Sequence, residues 1–453
     1  MSPGSRPSTA TTPAKSGIPL KPAAIKADIP RVGSVRDRRS AVLAVALVAS
    51  ACAGLALLVY GLAGSGDYSI SGQVSGDNAG PALDALAHGH LAAMVHLQPL
   101  MGLTSILLRA PVVAFADALH GSQRLAYGLG SLACLLPAAA LVAWLARRAV
   151  SVPQLAIAAI GSAAIVAGPA TLQAARIGHP EEVLATVLAA GAVICAMEER
   201  RGWAAVLLGL AIGTKQWAFL ATPCVLLALP DSRAAVTTKA FLVAAPLVAT
   251  LPLVDPAGFA RADVSVGGLR IADPFSVWWP TTLSTPMGRH ALAHILPLGL
   301  TRSQAAATAL VVAAAAIWIY ARRARGGGLR TVDPLALLAL CGLLRCVTDP
   351  TPLAYNFVAV VIPLALWEAA IRKRLPVVTT LACVALGLLA TDDNVWVTGS
   401  HGLVGELLVS RLWLVGVIAL GCYLAHQAFR PRGATVARAR PAAPLLVTAV
   451  DPS

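Results

Sequence analysis

The stretch WAAVLLGLAIGTKQWAFLATPCVLLAL, residues 203–229, decides how this chain is threaded. Its 27 residues are apolar enough to lie in a bilayer but too many for one ordinary span, which takes about 20. Thr214-Lys215-Gln216 interrupts it near the middle. The charged groups on either side are Glu198-Glu199-Arg200-Arg201 before it and Asp231-Ser232-Arg233 after it. A single crossing would place the later arginine clusters on the opposite side of the membrane from the earlier ones, against the bias of Lys and Arg toward the cytoplasm. The stretch is therefore expected to form two short helices that meet near the outer face, with Lys215 at the junction.

Outward from this stretch, apolar runs recur at 41–63, 122–146, 153–175, 183–197, 240–254, 304–320, 334–347, 354–371, 375–390 and 407–429. Basic clusters flank them: Arg36, Arg38 and Arg39; Arg147 and Arg148; Arg322, Arg323 and Arg325; Arg372-Lys373-Arg374; Arg430 and Arg432. Together these features predict an all-α integral membrane protein with about 12 transmembrane helices over residues 40–429 and both termini in the cytoplasm. Residues 1–39 read as a disordered basic cytoplasmic tail and 430–453 as a C-terminal cytoplasmic tail. The first run is long enough to span and is followed by many more, so it reads as a signal-anchor rather than a cleaved leader. The inner (plasma) membrane of a bacterium is the expected location.

Composition excludes other classes. The chain is 57% hydrophobic and 12% charged, with mean hydropathy +0.74; soluble domains carry about 25% charged residues. A net charge of +14 would suggest nucleic acid in a soluble protein, but here Lys and Arg sit at the ends of apolar runs. No nucleic-acid partner is expected. The eight cysteines lie within apolar stretches and form no C-x-x-C pair, so they read as small buried hydrophobes.

Two outer segments stand out, a first loop at 64–121 and a long one at 255–303. Within the first, residues 97–119 are apolar enough to span but carry Pro99, Arg109, Pro111 and Asp117. A span there would turn Arg147 and Arg148 outward, so the expectation is one or two amphipathic helices on the outer surface. Most acidic residues also fall on the outer side: Asp67, Asp77, Asp84, Glu181, Glu182, Asp255, Asp263, Asp273, Asp349, Asp392 and Asp393. Solvation of loops accounts for Asp255, Asp263, Asp392 and Asp393. It accounts less well for Lys215 within an apolar stretch, for Arg345 near the end of a span, or for the short turn Gly178-His179-Pro180-Glu181-Glu182. Polar groups gathered near one face, without related halves, favour chemistry on a lipid-linked substrate over a transporter with a midplane site.

Four stretches carry a resemblance. They are Gly76-Asp77-Asn78 through Asp84 to Leu91; the Gly178–Glu182 turn; Gly209 to Trp217 with its embedded Lys215; and Arg345-Cys346-Val347-Thr348-Asp349-Pro350 continuing to Tyr355 and Asn356. With these the chain resembles the polytopic GT-C glycosyltransferases, above all glycosyltransferase family 87 and the actinobacterial polyprenyl-phosphate-mannose-dependent mannosyltransferases. The resemblance implies a GT-C-like membrane core with amphipathic helices in the first periplasmic loop. It also implies inverting transfer of a sugar, most plausibly mannose, from a polyprenyl-phosphate donor to a lipid or glycan acceptor at the periplasmic face, without cofactor or metal.

The chemistry matches the residue types. An acceptor hydroxyl needs a positioned carboxylate to take its proton; Asp77 is the first candidate, with Asp67 and Asp84 as alternatives. The leaving phosphate needs positive charge aimed at it, and Lys215, Arg270, Arg345 and His179 are candidates. Glu181, Glu182, Gln216, Asp349, Tyr355 and Asn356 are candidates for acceptor contacts or structural polar roles. Grooves between spans would hold the prenyl tail, and membrane lipids would surround the whole. No G-x-G-x-x-G or Walker sequence is present, in keeping with a lipid-linked rather than a nucleotide donor. A transporter or lipid flippase of the cell envelope, or a non-catalytic envelope-assembly partner, remains an alternative at this point.

Overall fold

The computed structural model describes residues 79–99, 102–229, 231–267, 270, 276–281, 283–287, 291–305, 307–308, 311, 333–390 and 402–429. Six described segments are long and apolar enough to cross a membrane: Leu125–Arg148, Val152–Ala175, Pro180–Met197, Arg233–Val254, Ala354–Ile371 and Ser410–Ala428. Four apolar helices are shorter, Arg201–Thr214, Gln216–Ala228, Pro334–Thr348 and Val377–Leu388. Each matches a run or half-run expected from the sequence. Of the other expected runs, 41–63 lies outside the described residues and 304–320 largely so, as do the two tails.

Among the described residues the first elements are three helices, α1 (Ala79–Ala87), α2 (Leu91–Leu97) and α3 (Leu103–Ala118). They share a small core with α4 (Gln123–Leu135) and Leu251, built on Leu83, Met94, Ile106, Val113 and Tyr127. Tyr127 Oη donates to the carbonyl of Gly80 at 3.2 Å, which ties α1 to α4. The 97–119 stretch thus forms helices, with Pro111 inside α3 and Arg109 turned inward at 6% exposure.

α4 continues as α5 (Ala138–Arg148) after a bend at Leu136-Pro137, where proline cannot supply the N–H that would keep the helix regular. α6 (Val152–Ala167) and α7 (Pro169–Ile177) follow. Gly178, at φ 87°, ends α7 in the left-handed conformation that glycine adopts without strain, and α8 (Pro180–Met197) turns straight back. α8 is central: 14 of its 18 residues are buried, five of them alanines that let neighbours approach closely.

The 203–229 stretch is broken as expected. α9 (Arg201–Thr214) stops at Lys215, whose φ −147° and ψ 127° are extended, and a 3₁₀ turn (Gln216–Ala221) leads into α10 (Thr222–Ala228). Both ends of this hairpin return to one place, because Arg201 Nη1 donates to Ser232 Oγ at 2.8 Å and Arg201 also pairs with Asp231. α11 (Arg233–Val254) then packs along α9. Gly209 and Gly213 make that approach possible: a Cβ on Gly209 would stand 2.6 Å from the Ala240 carbonyl oxygen, and one on Gly213 2.5 Å from Leu247 Cδ1.

The segment 255–303 carries α12 (Pro256–Gly267) and an antiparallel hairpin of β1 (Leu283–Met287) and β2 (Ala291–Ile295), paired from Leu283↔Ile295 to Met287↔Ala291. This small hairpin departs from the all-α expectation. Its five-residue strands are too short, and too broken by Pro286, for alternation to announce them. α13 (Pro334–Thr348), a 3₁₀ turn (Ala354–Phe357), α14 (Val358–Leu366), a π-helical turn (Trp367–Ile371), α15 (Val377–Ala390) and α16 (Gly402–Ala428) complete the described chain.

The helices alternate in direction, so their connections gather at two ends. At one, Arg148 meets Glu198 at 3.5 Å, Arg201 meets Asp231, and the N–H of Asp333 reaches the carbonyl of Ala428 at 3.0 Å. At the other lie the Gly178–Glu182 turn, the Lys215 break and the C-terminus of α13.

Candidate active site

Three helix ends build a polar cluster in this second place. The first turn of α8 supplies Glu181 and Glu182, 0% and 3% exposed, with His179 just before it. The break between α9 and the 3₁₀ turn supplies Lys215 and Trp217. The last turn of α13 supplies Arg345, and the following turn Asn356 and Tyr355. Each end puts a charged side chain where the helix stops, so all of them face the same volume.

Glu182 is the hub. Its Oε1 accepts from Arg345 Nη2 at 3.0 Å and lies 3.5 Å from Lys215 Nζ, while Oε2 accepts from Trp217 Nε1 at 2.9 Å. Glu181 Oε1 takes Lys215 Nζ at 3.2 Å and His179 Nδ1 at 2.9 Å. Arg345 also donates to Asn356, from Nη1 to the carbonyl at 3.2 Å and from Nη2 to Oδ1 at 3.3 Å. Its guanidinium lies 4.6 Å from the centre of the Trp217 ring, within cation–π range. The His179 ring stacks on Tyr355, centroids 4.8 Å apart.

A second tier closes the cluster. Asp349 accepts both arms of Arg302, Nε to Oδ1 and Nη2 to Oδ2, each at 2.9 Å. This fork holds the guanidinium above its usual value even against the cost of burial. Trp278 Nε1 donates to the Thr348 carbonyl at 2.8 Å. The long outer segment is thereby tied to the end of α13.

Of the residues singled out from sequence, the structure brings His179, Glu181, Glu182, Lys215, Arg345, Asp349, Tyr355 and Asn356 together. Gln216 is beside them in sequence but exposed, and Arg270 is exposed with its carbonyl accepting from the Leu296 N–H at 2.7 Å. Asp67 and Asp77 lie outside the described residues. Asp84 is on α1, where His88 Nδ1 sits 2.9 Å from its carbonyl oxygen and 3.6 Å from its Oδ1. The carbonyl first and the carboxylate second raise the His88 pKa. With Asp117, these two form the one group among the described residues whose potential metal-ligand atoms lie within 4.8 Å of one another. The trio is part-exposed and its members already face each other. Asp255, read from sequence as a solvated loop residue, instead caps α12 through the Gly258 N–H at 2.8 Å and meets His96 of α2 at 3.3 Å.

Two residues of the site were not candidates: Trp217 and Arg302. Trp217 adjoins Lys215, and that is a signal that can be read. Nothing near Arg302 announces its partner 47 residues away.

An apolar groove of about 700 Å³ runs between α13, α14, α15 and α16. Leu343, Phe357, Trp413 and Leu420 line it. Leu343 is two residues from Arg345 in the chain and Phe357 follows Asn356, while the charged residues of the cluster are not among those that line the groove.

The sequence model of glycosyltransferase family 87 matches residues 102–350, more than half of the chain. The protein belongs to that family. No curated protein matched it. The family 87 match takes in Arg109, His179, Glu181, Glu182, Lys215, Arg270, Arg345 and Asp349, and it begins after the three candidate aspartates Asp67, Asp77 and Asp84. A family 87 protein with these spans is a multi-pass membrane glycosyltransferase, and it requires a sugar donor and an acceptor.

Proposed function

We propose that the protein moves a sugar, mannose in the first instance, from a polyprenyl-phosphate donor to a lipid or glycan hydroxyl at the periplasmic face of the bacterial inner membrane, with inversion. The buried cluster of Lys215, Arg345 and His179 around two carboxylates, in a bundle that also holds an apolar groove, supports this reading. A donor of this kind has a long hydrocarbon tail joined to a phosphate. The groove suits the tail, and Arg345, Lys215 and His179 suit the phosphate.

In the reaction, the acceptor oxygen attacks the anomeric carbon from the face opposite the phosphate. A new C–O bond forms as the bond from carbon to phosphate oxygen breaks, which inverts the centre once. Asp77 takes the acceptor proton, because a hydroxyl with a pKa far above neutrality does not attack efficiently while it keeps that proton. Polyprenyl phosphate leaves with one more negative charge than it had in the donor. Preorganised cations at that oxygen stabilise the developing charge without reorganising. No proton need be given to a leaving group already this acidic.

The test is transfer by purified protein in lipid, with radiolabelled polyprenyl-phosphate mannose and a pool of envelope lipids. A labelled product, lost in Asp77→Asn while the protein still inserts and stays monodisperse, is the expected result. Full activity in Asp77→Asn would remove that residue as the base. No product from any of several polyprenyl-phosphate sugars, with folded protein, would overturn the donor assignment.

A further inference from the structure

Two hydrogen-bonding groups inside the polar cluster have no partner among the described residues. Glu181 is fully buried, and its Oε1 takes Lys215 Nζ at 3.2 Å and His179 Nδ1 at 2.9 Å, while its Oε2 meets no donor. The Tyr355 hydroxyl likewise makes no hydrogen bond among the described residues, although the residue is only 8% exposed. The imidazole of His179 joins the two: its Nδ1 meets Glu181, and its ring stacks on Tyr355 with centroids 4.8 Å apart.

Their neighbours are engaged. Both oxygens of Glu182 accept, from Arg345 and from Trp217, and Arg345 also donates to Asn356. An ionised carboxylate can only accept a hydrogen bond, whereas a phenol can donate one. A buried polar atom left unpaired costs the desolvation of that group, and native sites rarely keep one without a ligand or an ordered water to meet it. These two oxygens adjoin the cations assigned above to the phosphate, since Lys215 Nζ touches Glu181 and shares Glu182 with Arg345. In a polyprenyl-phosphate sugar the ring is bonded directly to the phosphate. Cations that hold the phosphate therefore bring the sugar's hydroxyls to this part of the cluster.

We propose that Glu181 and Tyr355 bind hydroxyls of the donor's sugar, with Glu181 Oε2 accepting and Tyr355 Oη donating. This rests on the phosphate-donor reading above and adds to it the contacts made by the sugar itself. Lys215, 18% exposed, is the flexible neighbour. On donor binding its ammonium moves from Glu181 toward the phosphate, which opens Oε2 to a hydroxyl. The competing occupant is an ordered water, which would satisfy the two oxygens whatever ligand is present. The two occupants differ in what they change: a water contributes to stability alone, whereas a sugar contact acts only on ligands that carry the sugar.

The experiment compares wild type with Tyr355→Phe, which keeps the ring on His179 and removes only the hydroxyl, and with Glu181→Gln. Each protein is checked for monodispersity and thermal unfolding in detergent. Equilibrium binding is measured with two probes, decaprenyl-phosphate mannose and decaprenyl phosphate, and the quantity read is the ratio of the two affinities. Any effect on phosphate binding or on overall stability acts on both probes and leaves that ratio alone. Tyr355→Phe should shift it about tenfold against the mannose probe, the loss of one buried hydrogen bond. Glu181→Gln puts an N–H donor or a weaker acceptor where the carboxylate stood and should shift the ratio in the same direction, so the test survives if one variant does not fold. An unchanged ratio in either folded variant would overturn the proposal and leave the donor reading standing. If folded wild type binds neither probe, the donor reading falls and the sugar contacts fall with it.

Discussion

The two ends of the helix bundle use the same residue types to opposite effect. At one end, acids and bases meet near the surface: Glu198, 26% exposed, takes Arg148 at 3.5 Å, Arg200 at 3.4 Å and Trp144 Nε1 at 2.8 Å, and Arg201 pairs with Asp231, whose side chains are 41% and 61% exposed. At the other, Glu182 alone gathers Arg345, Lys215 and Trp217 with almost no exposure. Exposed pairs are screened and contribute about 0–1 kcal/mol each. Buried ones must offset desolvation by meeting several partners at once. The first kind marks where the chain turns; the second is retained at a cost and so points to chemistry. Glu368, fully buried at the first end, sharpens the contrast. Its Oε2 accepts from Thr379 N and Oγ1, each at 2.9 Å, and it pairs with Arg374 at 3.4 Å. It caps the start of α15 and leaves nothing turned toward a ligand.

The largest effect should come from removing the hub. Glu182→Ala strands Arg345 and Lys215 and is expected to cost about 3–5 kcal/mol, seen as a marked fall in the unfolding temperature in detergent, with transfer lost. A variant that unfolds like wild type would erase the distinction between the two ends. Arg201→Ala, at the exposed end, should lower stability by about 1 kcal/mol or less and leave transfer unaltered. A loss of transfer there would mean that the exposed end also takes part in function.

The smallest effect concerns the tie between α2 and the long outer segment. The Gly258 N–H first, and then His96, hold the Asp255 carboxyl below its ordinary 3.8. Because the folded-state value is the lower one, this contribution is complete above the ordinary pKa and fades as pH falls through the depressed value. Unfolding temperature measured down an acid series should therefore drop slightly more steeply for wild type than for Asp255→Asn. Parallel curves would show that the cap does not matter to folding.

Much of this was legible in residue order. Apolar length marked the spans, and the two long runs with polar interruptions behaved differently for readable reasons. Thr214-Lys215-Gln216 breaks its stretch because an ammonium group inside the membrane needs partners, and ending a helix brings it to them. Residues 97–119 carry Pro111 and a charge that must be satisfied, so they fold as helices packed on α1, α4 and α9. Gly178 announced the tight turn that sets His179 and Glu181 side by side.

Local sequence determined where helices start, stop and reverse, because those depend on hydropathy, glycine and proline within a few residues. Only the tertiary structure decided that Arg345 would share a carboxylate with Lys215, since Glu182 and Arg345 are 163 residues apart and no local pattern encodes which helix ends become neighbours. It alone decided that Arg302 would close on Asp349 and that Arg109 would turn inward. Charge balance in a buried site is a sum over all the helices that meet there, and that sum exists only after they have packed.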